Sequence, residues 1–188
     1  FDISGTVLAG LKDFQRRTVD YVFQRMYLAE SPAYRFLLAD EVGLGKTIEA
    51  GLVLSQKWAE RKRRILVITP SNLRKQWFQE LAEKFFLPCR ILEAKSYNTD
   101  IRQGKFRPFE VPEIVICSYE FAKSKASDVH AVSWDLVVID EAHRLRNVYK
   151  PSNVIANTLK QALAGKHRLL LTATPLQNSL LELFGLVS

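Results

Sequence analysis

The chain has 188 residues, 47% apolar and 25% charged, which suits one large soluble domain or a domain with an appendage and excludes a disordered or low-complexity class. No apolar run approaches the ~18 residues of a membrane span, and no basic-then-apolar leader opens the sequence. The net charge of +7 permits a polyanionic partner without requiring one. Cys89 and Cys117 lie far apart, so they read as reduced packing thiols of a cytosolic or nuclear protein, not a disulfide framework. The sequence begins at Phe1 and its one methionine is Met26, so a piece of a longer protein is expected.

From Leu11 to about Glu30 apolar residues recur at helical spacing, with Phe14, Val22 and Met26 on one stripe and Val19, Phe23 and Tyr27 beside it. Ser31-Pro32 is expected to end that helix. Gln15 and Arg16-Arg17 near its start read as solvated helix surface. Arg35 to Ala39 is a buried strand, and Lys46 to about Glu60 is the helix after it. Arg61-Lys-Arg-Arg64 reads as a solvated basic turn. Ile65-Leu-Val-Ile-Thr69 is a strand closed by Pro70. Ser71 reads as the N-cap of a helix with Leu73, Trp77, Leu81 and Phe85 on its buried side, ended by Pro88. Arg90-Ile-Leu92 fits a short strand.

Residues 96–112, with Gly104, Pro108 and Pro112, read as an irregular surface excursion. There Arg102, Lys105 and Arg107 surround Phe106 and Phe109, a mixture that grips nucleic acid in some proteins and more often packs a loop. Glu113 to Cys117 is a strand leading into Ser118-Tyr-Glu120 and a helical stretch. Asp135 to Ile139 is another strand, running into Asp140-Glu-Ala-His143. Pro151 to Ala164 reads as a helix ended by Gly165, Arg168 to Thr172 as a strand, and Ser179 to Val187 as the start of a last helix.

Strands that are apolar throughout are buried on both faces, and strands separated by helices imply a parallel sheet with right-handed crossovers. The expected class is therefore α/β, a parallel central sheet with helices on both faces in three layers. Ligands of such sheets sit at the carboxyl ends of the strands, where every candidate motif falls.

The central motif is Leu38-Ala-Asp-Glu-Val-Gly-Leu-Gly-Lys-Thr47, an apolar strand, a glycine-containing loop and a helix start. This is a phosphate-binding loop in its strand–loop–helix context, although the strict pattern would place glycine where Asp40 stands. Gly43 and Gly45, either side of Leu44, let the backbone approach an anion. The N-terminus of the following helix then faces the phosphates. Lys46 supplies a point charge for the outer phosphates, and the Thr47 hydroxyl suits a Mg²⁺ position. Asp140 and Glu141 emerge from a buried strand at the same face. The first carboxylate is placed to hold Mg²⁺, directly or through water. The second is placed to orient and deprotonate the water that attacks a terminal phosphate.

Taken in order, Leu11-Lys-Asp-Phe-Gln15, the phosphate loop, Ile68-Thr-Pro-Ser-Asn-Leu73 with Trp77 and Glu80, Ile116-Cys-Ser-Tyr-Glu120, Asp140-Glu-Ala-His-Arg-Leu-Arg-Asn147 and Leu171-Thr-Ala-Thr-Pro-Leu-Gln-Asn178 resemble the helicase-like ATPases of superfamily two, and the Swi/Snf family in particular. Val42 and Ile48-Glu-Ala-Gly51 are similar to the bacterial and archaeal branch that includes the RNA-polymerase-associated ATPase. In this family aspartate at position 40 is usual. The resemblance implies one N-terminal RecA-like ATP-binding lobe over 1–188, with an adenine-recognition helix in 1–34 and the core in 35–188. It implies ATP and Mg²⁺ as cofactors, with Gln15 recognising adenine, Asp40, Gly43, Leu44, Gly45, Lys46 and Thr47 forming the phosphate loop, and Asp140 and Glu141 acting as above. It also implies that His143, Thr172 and Thr174 relay nucleotide state, although by their own sequence they are equally a helix-start histidine and strand-end hydroxyls. Ser71, Arg74, Lys75, Ser118 and Tyr119 match the segments that contact the nucleic-acid backbone.

A second RecA-like lobe, absent from this sequence, would complete the ATP site and clamp the nucleic acid, so the lobe alone is expected to turn over poorly. The implied function is an ATP-dependent translocase or remodeller on double-stranded DNA. The alternatives are an RNA- or RNA-polymerase-directed motor, a P-loop kinase and a nucleotide-gated scaffold. The expected location is cytoplasmic and nucleoid-associated in a bacterium or archaeon, and nuclear in a eukaryote.

Overall fold

A computed structural model describes residues 11–25, 45–145 and 154–172, together with the backbone of 35–39. The first helix, α1, spans Asp13–Phe23, and β1 spans Arg35–Ala39. After them come α2 (Lys46–Ala59), β2 (Ile65–Thr69), a 3-10 turn (Ser71–Leu73), α3 (Arg74–Lys84) and β3 (Cys89–Ile91). Next are α4 (Ala94–Arg102), β4 (Ile114–Ser118), α5 (Tyr119–Ser124), α6 (Ala126–Ala131) and β5 (Leu136–Ile139). A second 3-10 turn (Ala142–Leu145), α7 (Val154–Ala162) and β6 (Arg168–Thr172) complete the described elements.

The strands form one six-stranded sheet in the order β1-β6-β5-β2-β4-β3, and every pairing is parallel. Strands β2, β4, β5 and β6 are buried along their whole length, which is why they lack polar alternation. Successive side chains still point to opposite faces. Ile65, Val67, Ile114, Ile116, Leu136, Val138, Leu169 and Leu171 join one core with residues of α1, α2 and α3. Leu66, Ile68, Val115, Cys117, Val137, Ile139 and Leu170 join the other with residues of α5, α6 and α7. Three layers result, as expected.

Along α3 the expected stripe holds, since Trp77, Leu81 and Phe85 are buried. Ser71 does not cap that helix. Leu73 N–H closes on Pro70 carbonyl at 2.9 Å, making a 3-10 turn, and neither that turn nor α3 has a side-chain cap. The supposed irregular stretch begins as the helix α4. Ser96 Oγ accepts the Glu93 N–H at 3.0 Å at its start, and the Tyr97 ring packs against Phe109 and Phe121 at 6.4 and 5.9 Å between centroids. The tertiary contact of Tyr97 organises a segment whose glycine and prolines suggested none. In the same stretch Phe109 packs into the core while Phe106 stays exposed. The expected helix end at Ser31-Pro32, the start of the Pro151 helix and the Ser179–Val187 helix lie outside the described residues.

Candidate nucleotide site

Parallel register brings the candidate residues to one edge of the sheet. Ile68 of β2 aligns with Ile139 of β5, so Thr69 and Asp140 leave the sheet side by side. Ile139 aligns with Leu170, which carries Thr172 two residues past that level, and Ala39 of β1 pairs with Thr172. The end of β1, which leads into the phosphate loop, and the end of β5, which leads into the acidic pair, therefore flank β6 at the same edge.

The Asp140 carboxylate is buried and held on both oxygens. Its Oδ2 accepts the Thr69 hydroxyl at 3.1 Å and the Trp77 indole N–H at 2.8 Å, while Oδ1 accepts the Glu141 N–H at 2.9 Å. The Asp140 N–H donates to Ile68 carbonyl at 2.9 Å, and the Tyr119 hydroxyl donates to the Asp140 carbonyl. Burial, then the Asp140 charge, pushes the Tyr119 hydroxyl well above its ordinary range, so it stays a donor.

Glu141 has φ +51°, a left-handed conformation that costs a non-glycine residue about 1–3 kcal/mol and collects at functional sites. Its Oε2 lies 3.1 Å from His143 Nδ1, and His143 Nδ1 lies 3.3 Å from the buried Thr172 Oγ1. The sequence motifs thus become a physical line from Glu141 through His143 to the end of β6.

Opposite the acidic pair, Gly45 precedes α2 with φ +86°. A Cβ there would lie 2.5 Å from Gln15 Nε2, so the Gln15 amide of α1 is seated against this glycine. The Gln15 Oε1 accepts the Lys12 N–H at 3.1 Å. Gln15 is buried, which corrects its reading as solvated helix surface; Arg16 and Arg17 are exposed as expected. The helical periodicity missed this because the α1–α2 packing supplies the burial. Gly45, Lys46, Thr47, Trp77, Asp140 and Glu141 line one cleft of about 420 Å³.

That cleft fits a nucleotide phosphate tail with its cation. A glycine-led helix N-terminus turns its leading N–H groups and the positive end of its dipole toward an anion. Thr47 supplies a hydroxyl and Asp140 a carboxylate to the same space. Among the described residues no group of three or more His, Cys, Asp or Glu gathers as a metal cage, so a Mg²⁺ held here would take most ligands from water and phosphate, as that ion prefers. Asp40, Gly43, Leu44 and Thr174 lie outside the described residues.

The segments expected to touch nucleic acid divide. Ser71 and Lys75 are exposed. Arg74 is drawn inward, its Nη1 on Glu93 Oε2 at 2.9 Å and its Nε on the Ser71 carbonyl at 3.0 Å, so an outside phosphate would have to share a guanidinium already paired. Ser118 and Tyr119 are buried. The Ser118 hydroxyl accepts the Phe121 N–H at 3.1 Å as the N-cap of α5, and the Tyr119 hydroxyl is turned onto Asp140. This corrects the picture of their side chains as surface contacts: Ser118 caps α5 and Tyr119 braces Asp140 from within the core. Sequence reasoning placed Thr69 and Trp77 in a family signature, and Trp77 on a buried stripe, but gave neither a role at the site, because nothing local shows that an indole will meet a carboxylate 63 residues away.

A family model described as the SNF2-related domain matches residues 14–188. The chain belongs to the SNF2-related domain family. The likeness to helicase-like Swi/Snf ATPases read from the motifs is thereby borne out. This SNF2-related domain is 41% identical over 156 residues to "Uncharacterized ATP-dependent helicase YqhH" of Bacillus subtilis, covering 81% of this chain and 25% of that protein. It is 36% identical over 177 residues to "RNA polymerase-associated protein RapA" of Serratia proteamaculans, covering 90% of this chain and 18% of that one. The chain thus spans a quarter or less of the length of these curated relatives. Its fold is similar to the Sulfolobus solfataricus SWI2/SNF2 ATPase core solved in complex with dsDNA, with TM-score 0.73 and 23% identity, covering 95% of this chain and 35% of that one. The domain therefore has the RecA-like three-layer fold.

Proposed function

We propose that residues 1–188 form the N-terminal ATP-binding lobe of a nucleic-acid-stimulated ATPase motor that acts on double-stranded DNA, with a second RecA-like lobe elsewhere in the intact protein. The observation that carries this reading is the single cleft in which Asp140 and Glu141 face Lys46 and Thr47 at the start of α2. Lys46 and the α2 N-terminus bind the phosphates, Thr47 and Asp140 hold Mg²⁺, and Gln15, seated against Gly45, reads the adenine. Mg²⁺, when bound, neutralises charge that develops on the phosphate oxygens. Glu141 accepts the proton of the attacking water. His143, touching both Glu141 and Thr172, carries the state of that carboxylate to β6, and Thr174 continues the relay beyond the described residues. Exposed Ser71 and Lys75 lie on the 3-10 turn and the first turn of α3, where backbone phosphates would be met.

Duplex DNA is preferred because the solved structure of like fold is a complex with dsDNA. A second reading, a motor directed at RNA or RNA polymerase, is favoured by the likeness to the RNA polymerase-associated Serratia relative. The test is steady-state ATP turnover by the intact protein with no nucleic acid, duplex DNA, single-stranded DNA and RNA, alongside Glu141→Gln. Stimulation by duplex DNA, with Glu141→Gln binding ATP but not turning it over, is expected. Stimulation by RNA alone moves the reading to the second motor, and an active Glu141→Gln protein overturns the base assignment.

A further inference from the structure

The geometry points to Trp77 as a positioning residue for Asp140, one that selects which carboxylate oxygen is left to serve Mg²⁺. This rests on the proposed reading of Asp140 as a Mg²⁺ residue. Indole Nε1–H is a donor only, and a buried one needs an acceptor. The other described buried tryptophan with such a bond, Trp134, finds its acceptor nearby, donating to the Val129 carbonyl at 2.8 Å. Trp77 instead reaches from α3 to a side chain at the end of β5, and it is itself 2% exposed. A ring placed this way has no freedom to follow a carboxylate that turns, so it holds one rotamer.

The count of donors then decides the geometry. Oδ2 accepts both the Thr69 hydroxyl and the Trp77 N–H, which fill its two lone-pair directions. Two protons at that oxygen also repel a cation. Oδ1 accepts one N–H, from Glu141, and keeps its other lone pair. With Thr69 and Trp77 both in place, Oδ1 is the oxygen presented to a metal or to its water. Trp77 sits one turn beyond Arg74 and Lys75 on the helix proposed to meet nucleic acid. Just past the end of the same helix Phe85 is pressed so closely on α2 that a Cβ at Gly51 would lie 2.2 Å from its ring. Helix α3 and its C-cap therefore hold the site at two points, the carboxylate through Trp77 and α2 through Phe85.

The experiment measures ADP affinity of the intact protein by calorimetry with MgCl₂ and with EDTA, which reads Mg²⁺ binding without turnover. Trp77→Phe keeps an aromatic ring and removes the donor. It is expected to reduce the Mg²⁺-dependent gain in ADP affinity about tenfold over any change seen in EDTA, the size expected for one hydrogen bond to a charged group. Thr69→Val, which removes the other donor to Oδ2, should act in the same direction, and Asp140→Ala should abolish the gain. An intact Mg²⁺ gain in Trp77→Phe, or an equal loss with and without Mg²⁺, overturns the inference. If Trp77→Phe does not fold, Thr69→Val decides it alone, an unchanged gain being the refuting result. A gain that survives Asp140→Ala sinks the reading of the site instead, which separates the two failures.

Discussion

Gly51 sits in the middle of α2, where glycine ordinarily weakens a helix by about 1 kcal/mol relative to alanine. On that ground Gly51→Ala should stabilise the domain. The structure reverses the sign. A Cβ at this position would lie 2.2, 2.3 and 2.8 Å from Cε2, Cζ and Cδ2 of Phe85. Carbon atoms in contact prefer about 3.5–4.0 Å, so the ring would have to retreat by about 1.3 Å or more. Phe85 is fully buried in the same core as Leu54, Trp77 and Leu81, and interiors at close-packed density offer no such space. Overpacking costs about 1–3 kcal/mol, and an overlap this deep belongs at the upper end. After the helix gain is subtracted, a net loss of about 2 kcal/mol remains. For a domain of this size that lowers the melting temperature by about 4–8 °C, read by far-UV circular dichroism of wild type and variant. Adding Phe85→Leu should recover part of the loss, because the smaller side chain vacates the contact, so the pair is non-additive. An unchanged or higher melting temperature for Gly51→Ala would refute the close approach of α3 to α2.

Lys46→Ala should weaken ATP binding about tenfold or more with the fold intact, since one charge-assisted contact is lost; equilibrium titration showing unchanged affinity would remove Lys46 from the phosphate site. His143→Ala should preserve nucleotide binding but lower nucleic-acid stimulation of turnover about tenfold, the scale of a typical coupling energy, and full stimulation would refute the relay through Glu141 and Thr172. Burial pushes the Cys117 thiol up to about 12, and burial with the Glu113 charge pushes the Cys89 thiol up to about 11. A raised thiol pKa means less thiolate, so at pH 8 about one Cys117 in 10⁴ and one Cys89 in 10³ is ionised. Iodoacetamide should label the folded chain slowly at both positions, faster with each step up in pH, and rapidly once urea unfolds it; fast labelling of the folded chain would contradict the buried thiols.

The elements were legible where local chemistry and tertiary environment agree. Ile65-Leu-Val-Ile-Thr69 and Leu136-Val-Val-Ile139 could be read as doubly buried strands because an uninterrupted apolar run has no solvated face to offer. Trp77, Leu81 and Phe85 follow a helical period that the fold then uses. Where short-range signals and long-range packing diverge, the reading failed in a consistent way. Ser71 carries a capping side chain, yet Pro70 turns the chain into a 3-10 turn before α3 begins. Ser96 and Tyr97 lie in a stretch with turn residues ahead of them, yet contacts with Phe109 and Phe121 make a helix there.

The candidate site divides along the same line. The residue types suited to a phosphate, a cation and a proton are contiguous in the sequence at Gly45-Lys-Thr47 and Asp140-Glu141, because such chemistry needs particular groups at fixed spacing on a strand end or a helix start. Their order along the chain sufficed to place it among helicase-like ATPases. What the tertiary structure alone decided is how those groups are held: Gln15 against Gly45, Tyr119 beneath Asp140, Trp77 on Oδ2 and His143 between Glu141 and Thr172. Each joins groups on different elements, most of them far apart in sequence. Such contacts depend on the register and packing of whole strands and helices, and no local pattern encodes them.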